Sequence, residues 1–245
     1  LFCLFLHKLF YPVKPVHKVN YRFFSFDLPI IFFMNVLEFV GPVSVSLDSS
    51  GITLKSAEKE VSLPLPVNLV SFYVAGGYAY WDLPVKDGEK PPRPPRAVFY
   101  YKDSRLVLFT GEKGRAILLY ERGEEKLSRV FRREELRTLL EWIRNSLKAS
   151  MVEELVLVKE DGKDGKVSLR YGVQGLDLDE ISREQLFWGF EDYLRQRQKK
   201  VIDTKPLRVV IDGNWVVLLR KGDRLHPFAR FRGTFDNILR FMAGL

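Results

Sequence analysis

Residues 116–147, AILLYERGEEKLSRVFRREELRTLLEWIRNSL, contain the pattern that decides the fold. The apolar run at 116–120 follows a glycine-flanked turn and predicts the second strand of a hairpin. After a basic connector, apolar residues recur at intervals of three and four over 133–147, as in an amphipathic helix. That apolar stripe consists of Leu136, Leu139, Leu140, Ile143 and Leu147. The pattern predicts a unit made of a hairpin, a connector and a helix.

A similar succession ends the chain. Residues 207–211 and 215–219 are apolar runs separated by Asp212-Gly213-Asn214, which is a strong hairpin signal. A basic connector follows, and residues 233–243 carry a second helical stripe. The end of each half of the chain is therefore predicted to have the same local structure.

The two units align at an offset of 99 residues, which places Ala116 over Trp215 and Gly123 over Gly222. Four residues of the first helical stripe then lie over Phe235, Ile238, Leu239 and Met242. We predict an internal duplication in which each helix lies across the hairpin that precedes it. The alternative is that any two hairpin-and-helix segments align this well by pattern alone.

The rest of the chain favours short strands. Alternating or apolar segments predict strands at 42–48, 52–55, 60–65, 67–74, 78–83 and 97–101, with Ala75-Gly76-Gly77 as a turn. In the second half, 151–159 and 166–173 predict a hairpin, and 177–200 predicts a long helix. We therefore expect an α+β fold with mainly antiparallel strands, divided into a β-rich domain at 34–149 and an α+β domain at 150–245. At the level of architecture, duplicated sheet-and-helix units resemble the Whirly proteins, and this resemblance implies binding of single-stranded nucleic acid.

Residues 1–33 form an apolar and aromatic leader without a clear period. They have neither the order of a signal peptide nor a run of about 20 apolar residues that could span a membrane. Met34 then opens the regular pattern, so we expect the leader to be an upstream artefact outside the fold. The alternatives are an interfacial anchor or an arm that packs on a partner.

Composition excludes much familiar chemistry. The 245 residues include one Cys and three His, too few for a disulfide framework or a histidine-rich metal site. No phosphate-binding glycine loop is present, and the acidic group Asp177, Asp179, Glu180 and Glu184 is more typical of a helix start than of a metal site. We expect a heat-adapted cytoplasmic protein with no catalytic residues, cofactor or metal.

Basic and aromatic residues are interleaved in a chain that carries a net charge of +8. Cations neutralise phosphates and flat rings stack on unpaired bases, so this mixture favours a nucleic-acid-binding protein that prefers single strands. The candidate binding residues are Lys205, Arg208, Trp215, Arg220, Lys221, Arg224, Phe228, Arg230, Phe231 and Arg232, with Arg129, Arg132 and Arg133 in the first half. An alternative interpretation is that the rings belong to the core and the charges to an ordinary solvated surface.

A second function remains open from the sequence. The run KPPRPPR at 90–96 is proline-rich and basic, and such segments form stiff exposed ligands for partner proteins. The chain could then be a structural or assembly subunit that binds a protein partner, or a second copy of itself, through an apolar face and this loop. No membrane partner is expected.

Overall fold

The computed structural model describes residues 36–84, 95–111, 114–160 and 166–245. Over these residues the fold is α+β, with four antiparallel four-stranded sheets and a helix after each sheet. The predicted leader at 1–33 and most of the predicted loop at 90–96 lie outside the described residues. The predicted fold class is confirmed.

Each unit consists of four strands in sequence order followed by one helix. Unit 1 comprises β1 (Leu37–Phe39), β2 (Ser44–Leu47), β3 (Gly51–Lys55), β4 (Glu60–Pro64) and α1 (Leu69–Tyr80). Unit 2 comprises β5 (Arg96–Tyr101), β6 (Ser104–Thr110), β7 (Ala116–Arg122), β8 (Glu125–Phe131) and α2 (Arg133–Ser146). Unit 3 comprises β9 (Ala149–Val152), β10 (Leu155–Lys159), β11 (Val167–Tyr171), β12 (Gln174–Leu178) and α3 (Glu180–Gln196). Unit 4 comprises β13 (Lys200–Asp203), β14 (Leu207–Ile211), β15 (Trp215–Lys221), β16 (Leu225–Arg232) and α4 (Phe235–Gly244).

The helices pack on the sheets of neighbouring units. Each sheet carries the number of its unit. α1 contacts β5 and β6 of sheet 2, and α2 contacts β1 of sheet 1 as well as β8 of its own sheet. In the second half, α3 contacts β13 of sheet 4, and α4 contacts β9 and β10 of sheet 3. Units 1 and 2, and units 3 and 4, therefore exchange helices, and the contact between α1 and α4 joins the two pairs around one hydrophobic core.

The predicted strands at 67–74 and 78–83 are wrong, because residues 69–80 form α1. The supposed turn at Gly76 and Gly77 is the part of α1 that approaches two other helices. A Cβ on Gly76 would lie 3.2 Å from a Leu140 methyl of α2, and one on Gly77 would lie 2.9 Å from a Leu239 methyl of α4. Glycine is unfavourable in a helix by about 1 kcal/mol relative to alanine. Burial of the helix among α2, α4 and sheet 2 overrides that preference.

The two predicted basic connectors are also strands. They form β8 and β16, the edge strands of sheets 2 and 4. Their many charged residues obscure the alternation of apolar and polar side chains that is typical of a strand. Lys and Arg are common on edge strands, because charge opposes pairing with another chain. The second half of the chain therefore has eight strands, like the first, and not the two hairpins that the sequence predicted.

The structure revises the predicted repeat. Ala116 pairs with Phe131 and Val216 pairs with Phe231, and all four side chains are buried, so the equivalent strand positions differ by 100 residues and not by 99. An offset of 99 pairs an inward side chain with an outward one, because side chains alternate along a strand. The expectation that each helix lies across the preceding hairpin is wrong for α4, which packs on sheet 3. A common origin of the units, like the two-domain division at 149–150, stays a prediction.

Candidate nucleic-acid interface

Sheet 4 has an inner face in the core and an outer face that carries many of the predicted binding residues. On β15, Val216 and Leu218 point inward and are buried, while Trp215, Val217 and Leu219 are half-buried on the outer face. Strand pairing sets Trp215 beside Arg232 and Val217 beside Arg230. We call this surface the sheet-4 outer face; it consists of Val201, Asp203, Arg208, Val210, Trp215, Val217, Leu219, Lys221, Arg230 and Arg232.

One end of the sheet-4 outer face is built around Trp215. The guanidinium of Arg232 lies 4.2 Å from the centroid of the Trp215 ring, and that of Arg230 lies 4.8 Å away. Such cation–π contacts hold the planar guanidinium over the ring while its N–H groups stay available. Neither guanidinium forms an ion pair with a carboxylate of the described residues. The Glu153 carboxylate accepts from the backbone N–H of Arg232 at 3.2 Å, so this end has two ordered guanidiniums beside one carboxylate.

The other end of the sheet-4 outer face is ion-paired, with two cations on one carboxylate. Asp203 accepts from Arg208 at 2.9 Å and lies 3.0 Å from the ammonium of Lys221. Hydrogen bonds from Arg208 and Lys221 hold the pKa of the Asp203 carboxyl below its usual value. The half-buried Val210 and Val217 and the exposed Val201 lie between the two ends. The face thus joins an end with two unpaired guanidiniums to an ion-paired end through an apolar strip.

Two predicted stacking residues are wrong. Phe228 is 3% exposed and Phe231 is 0% exposed, so neither ring can meet a base. Phe231 points inward from β16 and stacks on Phe241 of α4 at 5.4 Å between ring centroids. Phe228 is the extra residue where the pairing of β15 and β16 shifts register, and this bulge turns its side chain into the core.

The other predicted residues of unit 4 lie around the sheet-4 outer face and not on it. Arg220 pairs with the buried Leu207, so its side chain lies on the inner side of sheet 4. It is exposed because it lies near the end of β15. Lys205 and Arg224 are exposed in the turns between β13 and β14 and between β15 and β16. These three residues can contribute to the local potential but not to a contact at Trp215.

Arg129 of unit 2 has a structural role. It is 8% exposed, and its guanidinium donates to the carbonyl of Val43 at 2.9 Å and to Glu135 Oε1 at 2.5 Å. The prediction that Arg129 binds nucleic acid is wrong, because these bonds hold β8 to unit 1 and to the start of α2. Arg132 and Arg133 are exposed at the start of α2, where the guanidinium of Arg133 lies 5.4 Å from the Tyr80 ring centroid.

Sequence reasoning missed the outer face of sheet 2. Strand pairing places the apolar residues Val98, Val107 and Leu119 in one row and Phe109, Ile117 and Val130 in the next. Tyr100 on the same face is 71% exposed. The available signal was that β5, β6 and β7 each contain four or five consecutive apolar residues, which is typical of strands covered on both faces.

Sequence reasoning also missed a cleft where α1, α2 and α3 meet, which we call the aromatic cleft. Its cavity has a volume of about 100 Å³. Rings from α1, the segment just after it, and α3 line it together with charged residues at helical spacing on α2 and α3. On α2 these are Arg137, Glu141 and Arg144, which the amphipathic pattern indicated only as a solvated face.

Comparisons with known proteins give no identity. No protein-family model matches the chain, and no curated protein matches it. Among solved structures, the DNA polymerase beta subunit of Streptococcus pyogenes is 9% identical with a TM-score of 0.20, over 83% of this chain and 67% of that one. The DNA polymerase sliding clamp of Pseudomonas aeruginosa is 9% identical with a TM-score of 0.18, over 80% and 66%. The WD40 domain of SCAP from fission yeast is 10% identical with a TM-score of 0.16, over 78% and 40%. At these values the likenesses identify neither a fold family nor a function.

Proposed function

We propose that the protein binds single-stranded nucleic acid, without catalysis, on the sheet-4 outer face. The observation that carries the proposal is the pair of guanidiniums of Arg230 and Arg232 held over Trp215 without a carboxylate partner in the described part of the chain. Arginine binds phosphate oxygens through two parallel N–H donors, and a ring that has already ordered the side chain lowers the entropy lost on binding.

The remainder of the sheet-4 outer face suits an unpaired strand. A base can stack on the plane of a guanidinium that Trp215 holds, and stacking contacts contribute roughly 1 to 3 kcal/mol each. Val201, Val210 and Val217 offer apolar contact to base faces, which a duplex keeps inside its stack. The face holds four cations and one carboxylate, Asp203, so it attracts a phosphate backbone in a salt-dependent way.

A second candidate function is supported by the outer face of sheet 2. Its six apolar residues and the exposed Tyr100 favour a structural or assembly subunit that binds a protein partner or a second copy. Within the described ranges no helix is both long and apolar enough to span a membrane. A cytoplasmic location is part of the proposal.

Binding of a labelled 20-nucleotide single strand and of the matching duplex, measured by fluorescence anisotropy at low salt, tests the proposed function. We expect tighter binding of the single strand, and a loss of about tenfold for Trp215→Leu, because the substitution removes the ring that orders Arg230 and Arg232. Tyr100→Leu, on the outer face of sheet 2, is the matched control and should bind as the unaltered protein does. Equal effects of the two substitutions, or no affinity for the 20-mer, would favour the assembly function.

A further inference from the structure

The outer face of sheet 2 is apolar, whereas those of sheets 1 and 4 are polar or charged. The outer face of sheet 1 presents Ser46, Thr53 and Ser62, and that of sheet 4 presents its arginines. Val130 of β8 occupies the position that Arg230 occupies in β16, and it is 48% exposed. A face that exposes apolar side chains where its counterpart has cations indicates contact with a protein surface.

The outward side chains of sheet 2 form three rows across its four strands. The first row is polar and consists of Tyr100, Arg105, Glu121 and Lys126. The second row is mainly apolar and consists of Val98, Val107, Leu119 and Ser128. The third row is also mainly apolar and consists of Arg96, Phe109, Ile117 and Val130. In each row the residues follow the strand order β5, β6, β7 and β8.

The first row has a base and an acid side by side on the two central strands. Arg105 of β6 pairs with Glu121 of β7, and the ammonium of Lys126 lies 3.4 Å from the same carboxylate. The side chain of Arg105 is 51% exposed, so its guanidinium has N–H donors left for a second carboxylate. A surface that presents the base and the acid in the reverse order is complementary to this row.

A second copy of the chain presents that reverse order. When two sheet-2 outer faces are related by a two-fold axis parallel to the strands, each row lies opposite the same row and β6 lies opposite β7. Arg105 is then opposite Glu121 of the second copy, and Val107 is opposite its Leu119. An axis perpendicular to the strands would instead set Glu121 opposite Ile117. Only the parallel axis matches charge with charge and apolar side chains with apolar side chains.

The size of the face suits a weak dimer. The strands of sheet 2 have six or seven residues each. At about 3.3 Å per residue and about 4.8 Å between strands, the flat face covers roughly 400 Å² on each copy, before the relief of the side chains is counted. Two such faces bury an area at the low end of specific interfaces, so we expect a dissociation constant on the order of micromolar.

We propose that the protein forms a homodimer through the outer faces of sheet 2, with the two-fold axis parallel to the strands and Arg105 of each copy paired with Glu121 of the other. The proposal commits the protein-binding face of the second candidate function to one partner, a second copy. It uses no residue of the sheet-4 outer face, so it does not depend on nucleic-acid binding.

Sedimentation equilibrium of the full chain without nucleic acid, over a wide range of concentrations, tests the dimer. We expect the mass to rise from 28.6 kDa towards twice that value. Val130 lies opposite Arg96 of the second copy, so Val130→Arg should weaken the dimer about tenfold or more, and Val130→Glu should weaken it less. Met151→Arg is the matched control, since Met151 is 58% exposed on the outer face of sheet 3, and it should leave the dimer unchanged.

A mixing experiment tests the pairing of Arg105 with Glu121 between copies. Arg105→Glu and Glu121→Arg each set like charges against each other in a dimer of one variant, so each should weaken its own association about tenfold or more. A mixture of the two variants restores opposite charges at both contacts, and it should form heterodimers nearly as well as the unaltered protein forms homodimers. Because the two changes are on different chains, an ion pair within one chain cannot explain such a rescue.

Three outcomes would overturn the proposal. These are a mass of 28.6 kDa at every concentration, equal dimer affinities for Val130→Arg and Met151→Arg, or a mixture of the two charge variants that associates no better than each alone. Thermal unfolding at the temperature of the unaltered protein shows that each variant is folded. Loss of oligonucleotide binding with the dimer intact would count against the proposed function and not against the dimer.

Discussion

Strands β8 and β16 occupy the same edge position in sheets 2 and 4, yet their arginines point to opposite faces. Arg129 of β8 has the inward phase and is buried in bonds to Val43 and Glu135. Arg230 and Arg232 of β16 have the outward phase and lie over Trp215. A run of basic residues on an edge strand therefore does not by itself predict a binding surface. Side chains alternate between the two faces, so a cation one position further along the strand is buried instead of exposed.

The largest effect should come from the inward side of β16. Phe231→Ala removes a ring that is 0% exposed and leaves a cavity against Phe241, so we expect a loss of about 3 to 5 kcal/mol in the free energy of unfolding. Urea denaturation measures this loss. Trp215→Ala, one strand away on the outer face, should cost much less. Equal losses would contradict the assignment of Phe231 to the buried face of sheet 4 and of Trp215 to its outer face.

The inward arginine of β8 should come next. Arg129→Ala breaks a buried hydrogen-bonded pair and leaves Glu135 and the Val43 carbonyl without their donor, so we expect a loss of about 2 to 4 kcal/mol. Arg132→Ala, three residues along the chain at an exposed position, is the control and should cost less than about 1 kcal/mol. A small loss for Arg129→Ala would contradict the structural role and would favour the predicted role of Arg129 as a surface cation that binds nucleic acid.

Lys159 extends the comparison to sheet 3, because it is an inward-phase cation that forms no ion pair with a carboxylate of the described residues. Its ammonium donates to the Arg144 carbonyl, and burial, with the charges of Arg144 and Arg183, lowers its pKa to about 8. The unfolded chain then binds more protons than the folded chain between pH 8 and the usual lysine pKa of about 10.4. The free energy of unfolding should therefore rise with pH through this window.

Lys159→Met tests this reasoning, and we expect it to stabilise the protein by roughly 1 to 2 kcal/mol at pH 7, since the charged ammonium is the unfavourable form in the fold. The gain should shrink as the pH is raised to 10. Thermal unfolding at a series of pH values measures it. A gain that does not change with pH would mean that Lys159 is charged and fully solvated in the folded protein.

The sequence predicted the elements whose patterns are local. α2 was expected at 133–147 and is found at Arg133–Ser146, and the hairpin of β14 and β15 follows the turn at Asp212-Gly213-Asn214 as predicted. α1 was missed because Gly76 and Gly77 are explained only by Leu140 and Leu239, which are distant in the chain. The phase of an edge strand was missed for a related reason. The charged residues of β8 and β16 hide which side chains face inward, and only pairing with β7 and β15 settles it.

The same limit applied to the candidate sites. Composition indicated a basic, aromatic surface and placed Trp215, Arg230 and Arg232 in it, but it could not separate them from the buried Phe228, Phe231 and Arg129. The aromatic cleft gave no signal, because its rings come from α1, the turn after it and α3, more than 100 residues apart in sequence.

The salt dependence of single-strand binding by R230Q/R232Q tests the central claim most directly. If both outward arginines contact phosphates, affinity should fall and the slope of log affinity against log salt should lose about 0.7 for each contact removed. Arg170→Gln, an exposed arginine on the outer face of sheet 3, should keep both the affinity and the slope. Unchanged affinity and slope in R230Q/R232Q would contradict the assignment of the sheet-4 outer face as a nucleic-acid interface.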